Sequence, residues 1–116
     1  MSPSSFQFFV TLPCDATYRD LMRELVRCAL QYAGYPKSEI DAMLGAIDGA
    51  ALATMPAEAA GGTAVLALTT ADDTLAIEVS GPHLPPDAPA AGSMTVTAGR
   101  RDGRPALKFV QRLPVA

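Results

Sequence analysis

The sequence predicts an α+β fold, a two-layer α/β sandwich in which two N-terminal helices pack on one face of a mixed, mostly antiparallel sheet of about five strands. Two observations predict it. Two stretches with helical periodicity follow one alternating stretch near the N-terminus, and further alternating stretches come after them in pairs joined by short polar turns. A chain of 116 residues is expected to form a single domain with one core, spanning residues 1–116.

The first strand is indicated by alternation of apolar and more polar residues near the N-terminus. Its apolar positions are Phe6, Phe8, Val10 and Leu12. Phe9 interrupts the otherwise polar opposite face, so we expect this face to be partly covered or to meet a partner. Pro13 ends the strand, because proline has no N–H to donate to the ladder.

The first helix is predicted to begin after Asp15 or Thr17, either of which can cap its first turn. Gly34 and then Pro36 end it. The stripe predicted to face the core consists of apolar residues at helical spacing, namely Leu21, Leu25, Cys28, Ala29 and Tyr32, widened by Met22 and Val26.

The second helix is predicted to be capped by Ser38, with Asp41 where a capping box places its carboxylate. Pro56 ends this helix, whose second half is rich in small residues that favour close packing against a sheet. Its predicted buried stripe is Ile40, Met43, Leu44, Ile47, Ala50, Ala51 and Thr54.

The second half of the chain is predicted to form two hairpins. The first spans residues 63–80 and turns at Ala71-Asp72-Asp73, a short polar connection. The second spans residues 94–113 and turns at Asp102-Gly103, a strong local hairpin signal. Residues 81–93 lie between them and are predicted to be a loop, because they contain four prolines.

Composition limits the partners and the compartment. A formal net charge of −3 argues against nucleic acid, and the basic residues Arg100, Arg101 and Arg104 are interpreted as a solvated turn. No stretch approaches the roughly 18 apolar residues of a membrane span, and no signal pattern opens the chain, so we expect a cytoplasmic protein without a membrane partner. Cys14 and Cys28 are expected to be free, at least partly buried thiols, with a disulfide or metal pair as the minor alternative.

Several short motifs together suggest a known family. The chain resembles the histidine-kinase-like ATPase (GHKL) fold in the short form found in anti-sigma-factor serine kinases. The resemblance covers residues 6–55, and the hairpins match only in order and length. It implies a single, degenerate domain of this type. The matching residues are Leu12-Pro13, residues 23–26, Gly34, residues 39–41 and Ala46-Ile47.

In the resembling family the second helix ends in the box E-A-x-x-N, whose Glu acts as a base and whose Asn holds the magnesium ion on ATP. The matching register places Gly49 at the Glu position and Ala53 at the Asn position. A shift by one residue recovers a carboxylate at Asp48 but puts Leu52 where Asn is needed. Glycine cannot remove a proton, and neither Ala nor Leu offers an oxygen ligand to magnesium.

The family's next motif, D-x-G-x-G, follows a strand and admits the adenine. Here Ser80 stands in place of the Asp, and only Gly81 remains of the glycines. A third, phosphate-wrapping motif would need a longer glycine-rich segment than the one that contains Gly92. The resemblance therefore implies no catalytic residue, no cofactor and no metal, and leaves Asp48, Gly49, Ala53, Ser80 and Gly81 as vestigial positions of a nucleotide site.

Three hypotheses remain open at this point. The first is a non-catalytic regulatory module that binds protein; the resemblance implies a sigma factor or an antagonist protein as partner, and a homodimer as its own assembly. The second is an ATP-binding serine kinase or ATPase-like enzyme with a rearranged site built from Asp48, His83 and the arginines at 100–104. A lone histidine in a proline-rich loop is, however, more typical of a surface residue. The third is an unrelated α+β sandwich.

Overall fold

The fold is seen in a computed structural model that describes residues 7–54, 62–71, 73–82, 94–101 and 103–113; the side chains of residues 49–54 and 71 are not described. The order of elements is the predicted one, a strand, two helices and four strands. The elements are β1 (Gln7–Pro13), a 3-10 turn (Ala16–Tyr18), α1 (Arg19–Ala33), α2 (Lys37–Thr54), β2 (Thr63–Ala71), β3 (Thr74–Ser80), β4 (Thr95–Arg101) and β5 (Arg104–Arg112).

The five strands form one sheet in the order β1-β2-β3-β5-β4. Both predicted hairpins are present, as β2–β3 and β4–β5, and β3 pairs with β5 between them. All four described pairings are antiparallel, so they include no parallel pair of the kind that a mixed sheet would add. The predicted two-layer α+β sandwich with two helices and a five-strand sheet is confirmed.

The strand register separates the two faces of the sheet, because successive side chains point to opposite faces. Phe8, Leu68, Ile77, Phe109 and Val96 form one row across all five strands. The three central members of this row are buried in the core together with apolar residues of α1 and α2. The helices therefore cover the face that carries this row, and the opposite face is called the open face below.

Helix α1 buries only part of the predicted stripe. Its buried residues are Met22, Val26, Ala29 and Leu30. Ala29 and the widening residues Met22 and Val26 belong to the predicted stripe, whereas Leu25 is half-buried and Leu21, Cys28 and Tyr32 are exposed. Apolar residues occupy more than half of the helix circumference, and the contact with α2 turns the helix so that the Met22 side faces the core.

The ends of α1 follow local chemistry. Asp15 caps the 3-10 turn that precedes α1, since its Oδ1 accepts the Thr17 backbone N–H at 2.9 Å, and this bond lowers the pKa of the Asp15 carboxyl. Tyr18 occupies the N-cap position of α1 itself and makes no side-chain cap bond. Gly34 ends the helix as predicted, with a φ of 96° that favours glycine.

Helix α2 begins two residues earlier than predicted, at Lys37. The backbone N–H groups of Glu39 and Ile40 both donate to the Pro36 carbonyl, so the first turn already includes Lys37. Ser38 therefore lies inside that turn and is not the cap. The first four residues of the predicted stripe, Ile40, Met43, Leu44 and Ile47, are buried as expected.

Tyr35 connects the two layers at the junction of α1 and α2. Its ring is buried, and its hydroxyl donates a hydrogen bond of 2.6 Å to the backbone carbonyl of Arg112, at the end of β5. Burial raises the pKa of this hydroxyl to about 12, with a smaller contribution from the nearby Glu39 carboxylate. The side chain thus holds the helix junction against one end of the sheet in its protonated form.

Candidate functional site

The end of α2 carries three of the vestigial nucleotide-site positions. Gly49 and Ala53 lie in the last turns of the helix, where side chains are not described. Asp48 lies one position earlier, and its Oδ1 is 3.4 Å from Nε of Arg23 on α1. The Asp48 carboxylate is therefore held in an ion pair between the two helices. Both side chains are substantially exposed, so this pair adds little to stability, about 0–1 kcal/mol.

The end of β3 carries the other two vestigial positions. Ser80 is buried and lies between Val65 and Ala106 in the sheet. The backbone N–H of Gly81 donates to the carbonyl of Pro105 at 3.1 Å. This amide is therefore engaged by the neighbouring strand and is not free to donate to a ligand.

The topology brings these positions to one end of the sandwich. β1 ends there, at Pro13 opposite Thr63, and α1 begins immediately afterwards. The end of β3 lies at the same end of the sheet, because Val65 pairs with Ser80. Asp48 is tied to the first turns of α1 through Arg23. Asp48, Ser80 and Gly81 therefore lie toward the same end of the domain.

The three arginines of the β4–β5 hairpin differ in their contacts. Arg101 forms an ion pair of 2.5 Å with Glu78 on β3. Arg104 donates from Nη1 to the carbonyl of Thr63 at 2.8 Å. Arg100 is exposed. Two of the three guanidinium groups that the enzyme hypothesis assigns to phosphates are therefore bonded to groups of the chain itself.

Other candidate residues are separated from one another or lie outside the described part. His83 and Gly92 lie outside it. Cys14 and Cys28 are free, and only Cys14 is buried, which raises the pKa of its thiol against the opposing effect of Arg104. Within the five described segments, no group of three or more His, Cys, Asp and Glu side chains is arranged to hold a metal ion.

The open face of the sheet forms a shallow groove of about 360 Å³. Phe9 stands at one side of it with 52% of its surface exposed. Side chains from neighbouring strands of the same face also line the groove, among them Ala67, Ala76, Glu78, Arg101 and Lys108. The interrupted alternation at Phe9 is the sequence signal for this surface. No sequence pattern predicts the basic side of the groove, because that side forms only when particular strands become neighbours in the sheet.

A second exposed apolar surface lies on α1. It consists of Leu21, Leu25, Cys28 and Tyr32, spaced along one side of the helix, and is called the α1 flank below. Leu21 is 45% and Tyr32 68% exposed. Arg23, which bonds to α2, lies on the other side of the helix, so the α1 flank points away from α2.

No protein-family model matches this chain, and no curated protein matches it. In the described segments, no helix combines the length and the apolar composition that a membrane crossing requires. Function is therefore inferred from the residues, their geometry and the sequence resemblance.

Proposed function

We propose that this chain is a non-catalytic regulatory module that binds protein in the cytoplasm, built on a histidine-kinase-like ATPase scaffold that has lost ATP binding. The resemblance to anti-sigma-factor kinases suggests a sigma factor or an antagonist protein as partner, and a homodimer as a further assembly. It also implies a mixed sheet, whereas the described pairings are antiparallel. Support for the function therefore comes from the sites and not from the sheet topology.

The observation that carries the proposal is the exposure of large apolar side chains on both layers of the domain. Phe9 is exposed on the sheet, and Leu21 and Tyr32 are exposed on α1. Single exposed apolar residues are common, but clustered ones mark surfaces where another protein binds. The α1 flank is a cluster of this kind, whereas Phe9 is the exposed large apolar residue among the described residues that line the groove.

The condition of the nucleotide-site positions supports the non-catalytic part of the proposal. A general base must reach the proton that it removes. The Asp48 carboxylate is held beside Arg23 in an ion pair, with 3.4 Å between Oδ1 and Nε. The Gly81 amide bonds to the sheet. These contacts favour a structural role for both groups over a role in nucleotide binding.

The enzyme hypothesis makes a different prediction for one substitution. We expect Asp48→Ala to leave phosphate release from Mg-ATP unchanged, at the background rate of both proteins, because Asp48 serves only the surface ion pair with Arg23. Phosphate release should be measured for the wild type, for Asp48→Ala and for Arg23→Ala as the matched control that also breaks the pair. Turnover by the wild type that Asp48→Ala abolishes and Arg23→Ala retains would establish the enzyme instead.

A further inference from the structure

The open face carries apolar side chains on one side and charged side chains on the other, and this arrangement becomes visible only from the strand register. One row of side chains crosses all five strands in the order Phe9, Ala67, Glu78, Lys108 and Thr97. The row begins with an exposed aromatic ring, continues over a small residue and reaches charged groups on β3 and β5. A molecule lying across the strands therefore meets an apolar side first and a charged side next.

The charged side of the groove, where Arg101 lies beside this row, has an excess of positive charge. Glu78 binds Arg101 at 2.5 Å, so that its carboxylate is already neutralised. Lys108 is exposed and is engaged by no carboxylate in the described segments. These three groups sum to one positive charge on a chain whose formal net charge is −3. The groove therefore attracts acidic groups, whereas two copies of the acidic chain repel each other weakly.

The floor of the groove favours a polypeptide over a rigid small ligand. Ala67 and Ala76 keep the centre low between Phe9 and the charged residues, and no strand or helix of the described chain covers it. Phe9 and Lys108 are three strands apart, which is about 14 Å at the usual spacing of strands. A segment that contacts both must carry its apolar and its acidic side chain at that separation.

We propose that the open face is the docking site for an acidic segment of a partner protein, with one apolar side chain against Phe9 and one carboxylate at Lys108. The proposal rests on the function proposed above and assigns its binding surface. The separation corresponds to about four residues of an extended segment or about nine of a helix. Aromatic and aliphatic anchors supply most of the affinity at such interfaces, and charged groups select a partner of the opposite charge.

The test uses a displayed library of random 15-residue peptides selected on the full chain. The selected peptides should share a carboxylate and an apolar residue at one of the two spacings. Their affinity, measured at low and high salt, should fall about tenfold in Lys108→Glu and in Phe9→Ala, and should weaken as salt rises. Both positions are exposed, so neither substitution is expected to unfold the domain. Leu21→Ala on the α1 flank is the matched control and should leave the affinity unchanged.

Several outcomes would overturn this assignment. They are a selection that yields no binding peptide, peptides without carboxylates, or affinity that falls in Leu21→Ala and not in Lys108→Glu. Sedimentation that shows a dimer of the wild type and a monomer of Phe9→Ala would identify a second copy as the occupant and likewise reject it. None of these results would restore nucleotide chemistry, so they leave the proposed protein-binding function standing; binding of Mg-ATP would reject that function independently.

Discussion

Replacing Phe109 with alanine is expected to lower the free energy of unfolding by about 3–5 kcal/mol, the usual cost of truncating a buried aromatic ring. Phe109 is fully buried, and on its strand it lies between Ile77 of β3 and Val96 of β4. Its removal leaves a cavity between the sheet and the helices. The free energy of unfolding of a domain of this size is about 5–15 kcal/mol, so the substitution removes a large part of it. Urea denaturation followed by circular dichroism measures the change.

Phe9→Ala is the matched control, since it makes the same chemical change on the opposite face of the same sheet. Phe9 is half exposed, and its loss is expected to cost less than about 1 kcal/mol. The difference in unfolding free energy between the two variants measures how much more the helix-covered face of the sheet contributes to the core than the open face does. Equal losses would mean that the open face is covered in the folded protein, and would contradict the two-layer architecture.

The second large effect is expected at Tyr35. Tyr35→Ala should lower the free energy of unfolding by about 3–5 kcal/mol, because it removes a buried ring. It also removes the hydroxyl that donates to the Arg112 carbonyl at 2.6 Å. Tyr35→Phe keeps the ring and loses only this bond, at an expected cost of about 1–2 kcal/mol. The two variants separate packing from hydrogen bonding in the same denaturation experiment.

The raised pKa of Tyr35 makes the free energy of unfolding depend on pH. The hydroxyl has a pKa of about 12 in the folded chain against the ordinary value of 10.0, so the folded state holds this proton more tightly than the unfolded state. Its contribution is fully present below pH 10 and is lost as the pH rises from 10 toward 12. Tyr35→Phe should therefore lose less stability across that window than the wild type. Parallel declines of the two proteins would show that the hydroxyl is not buried.

The order of elements is predictable from the sequence because its signals are local. Proline and glycine mark the ends of β1 and α1, at Pro13 and Gly34. The turn at Asp102-Gly103 predicts the second hairpin, and Gly103 has the φ of 80° that such turns favour. The start of α2 differs from its prediction by two residues, which is within the usual uncertainty of a helix boundary.

The direction in which α1 faces is not predictable in the same way. Leu21 and Met22 are neighbours of similar hydrophobicity, yet Leu21 is 45% exposed and Met22 is buried. Periodicity alone allows either to face the core, because the apolar arc of the helix is broad. The choice is made by tertiary contacts with α2 and the sheet, which the periodicity of one helix does not encode.

The candidate sites, too, are predictable from the sequence only where their signals are local. The loss of the nucleotide-site motifs, which the family resemblance implies, can be read directly from Gly49 and Ala53. Phe9 can be singled out because it breaks an alternation. Its relation to Lys108, about 100 residues later in the chain, depends on β5 lying beside β3, and only the assembled sheet reveals it.

Loss of nucleotide binding is the core of the function that we propose. Its most direct test is a titration of the purified chain with Mg-ATP and Mg-ADP, followed by calorimetry and by the shift in melting temperature. A ligand that binds only the folded state stabilises it by about 2.7 kcal/mol at a hundredfold excess over Kd. We expect no saturable heat and no shift at millimolar nucleotide. Saturable heat together with a rise in melting temperature would contradict the claim and would favour an enzyme with a rearranged site.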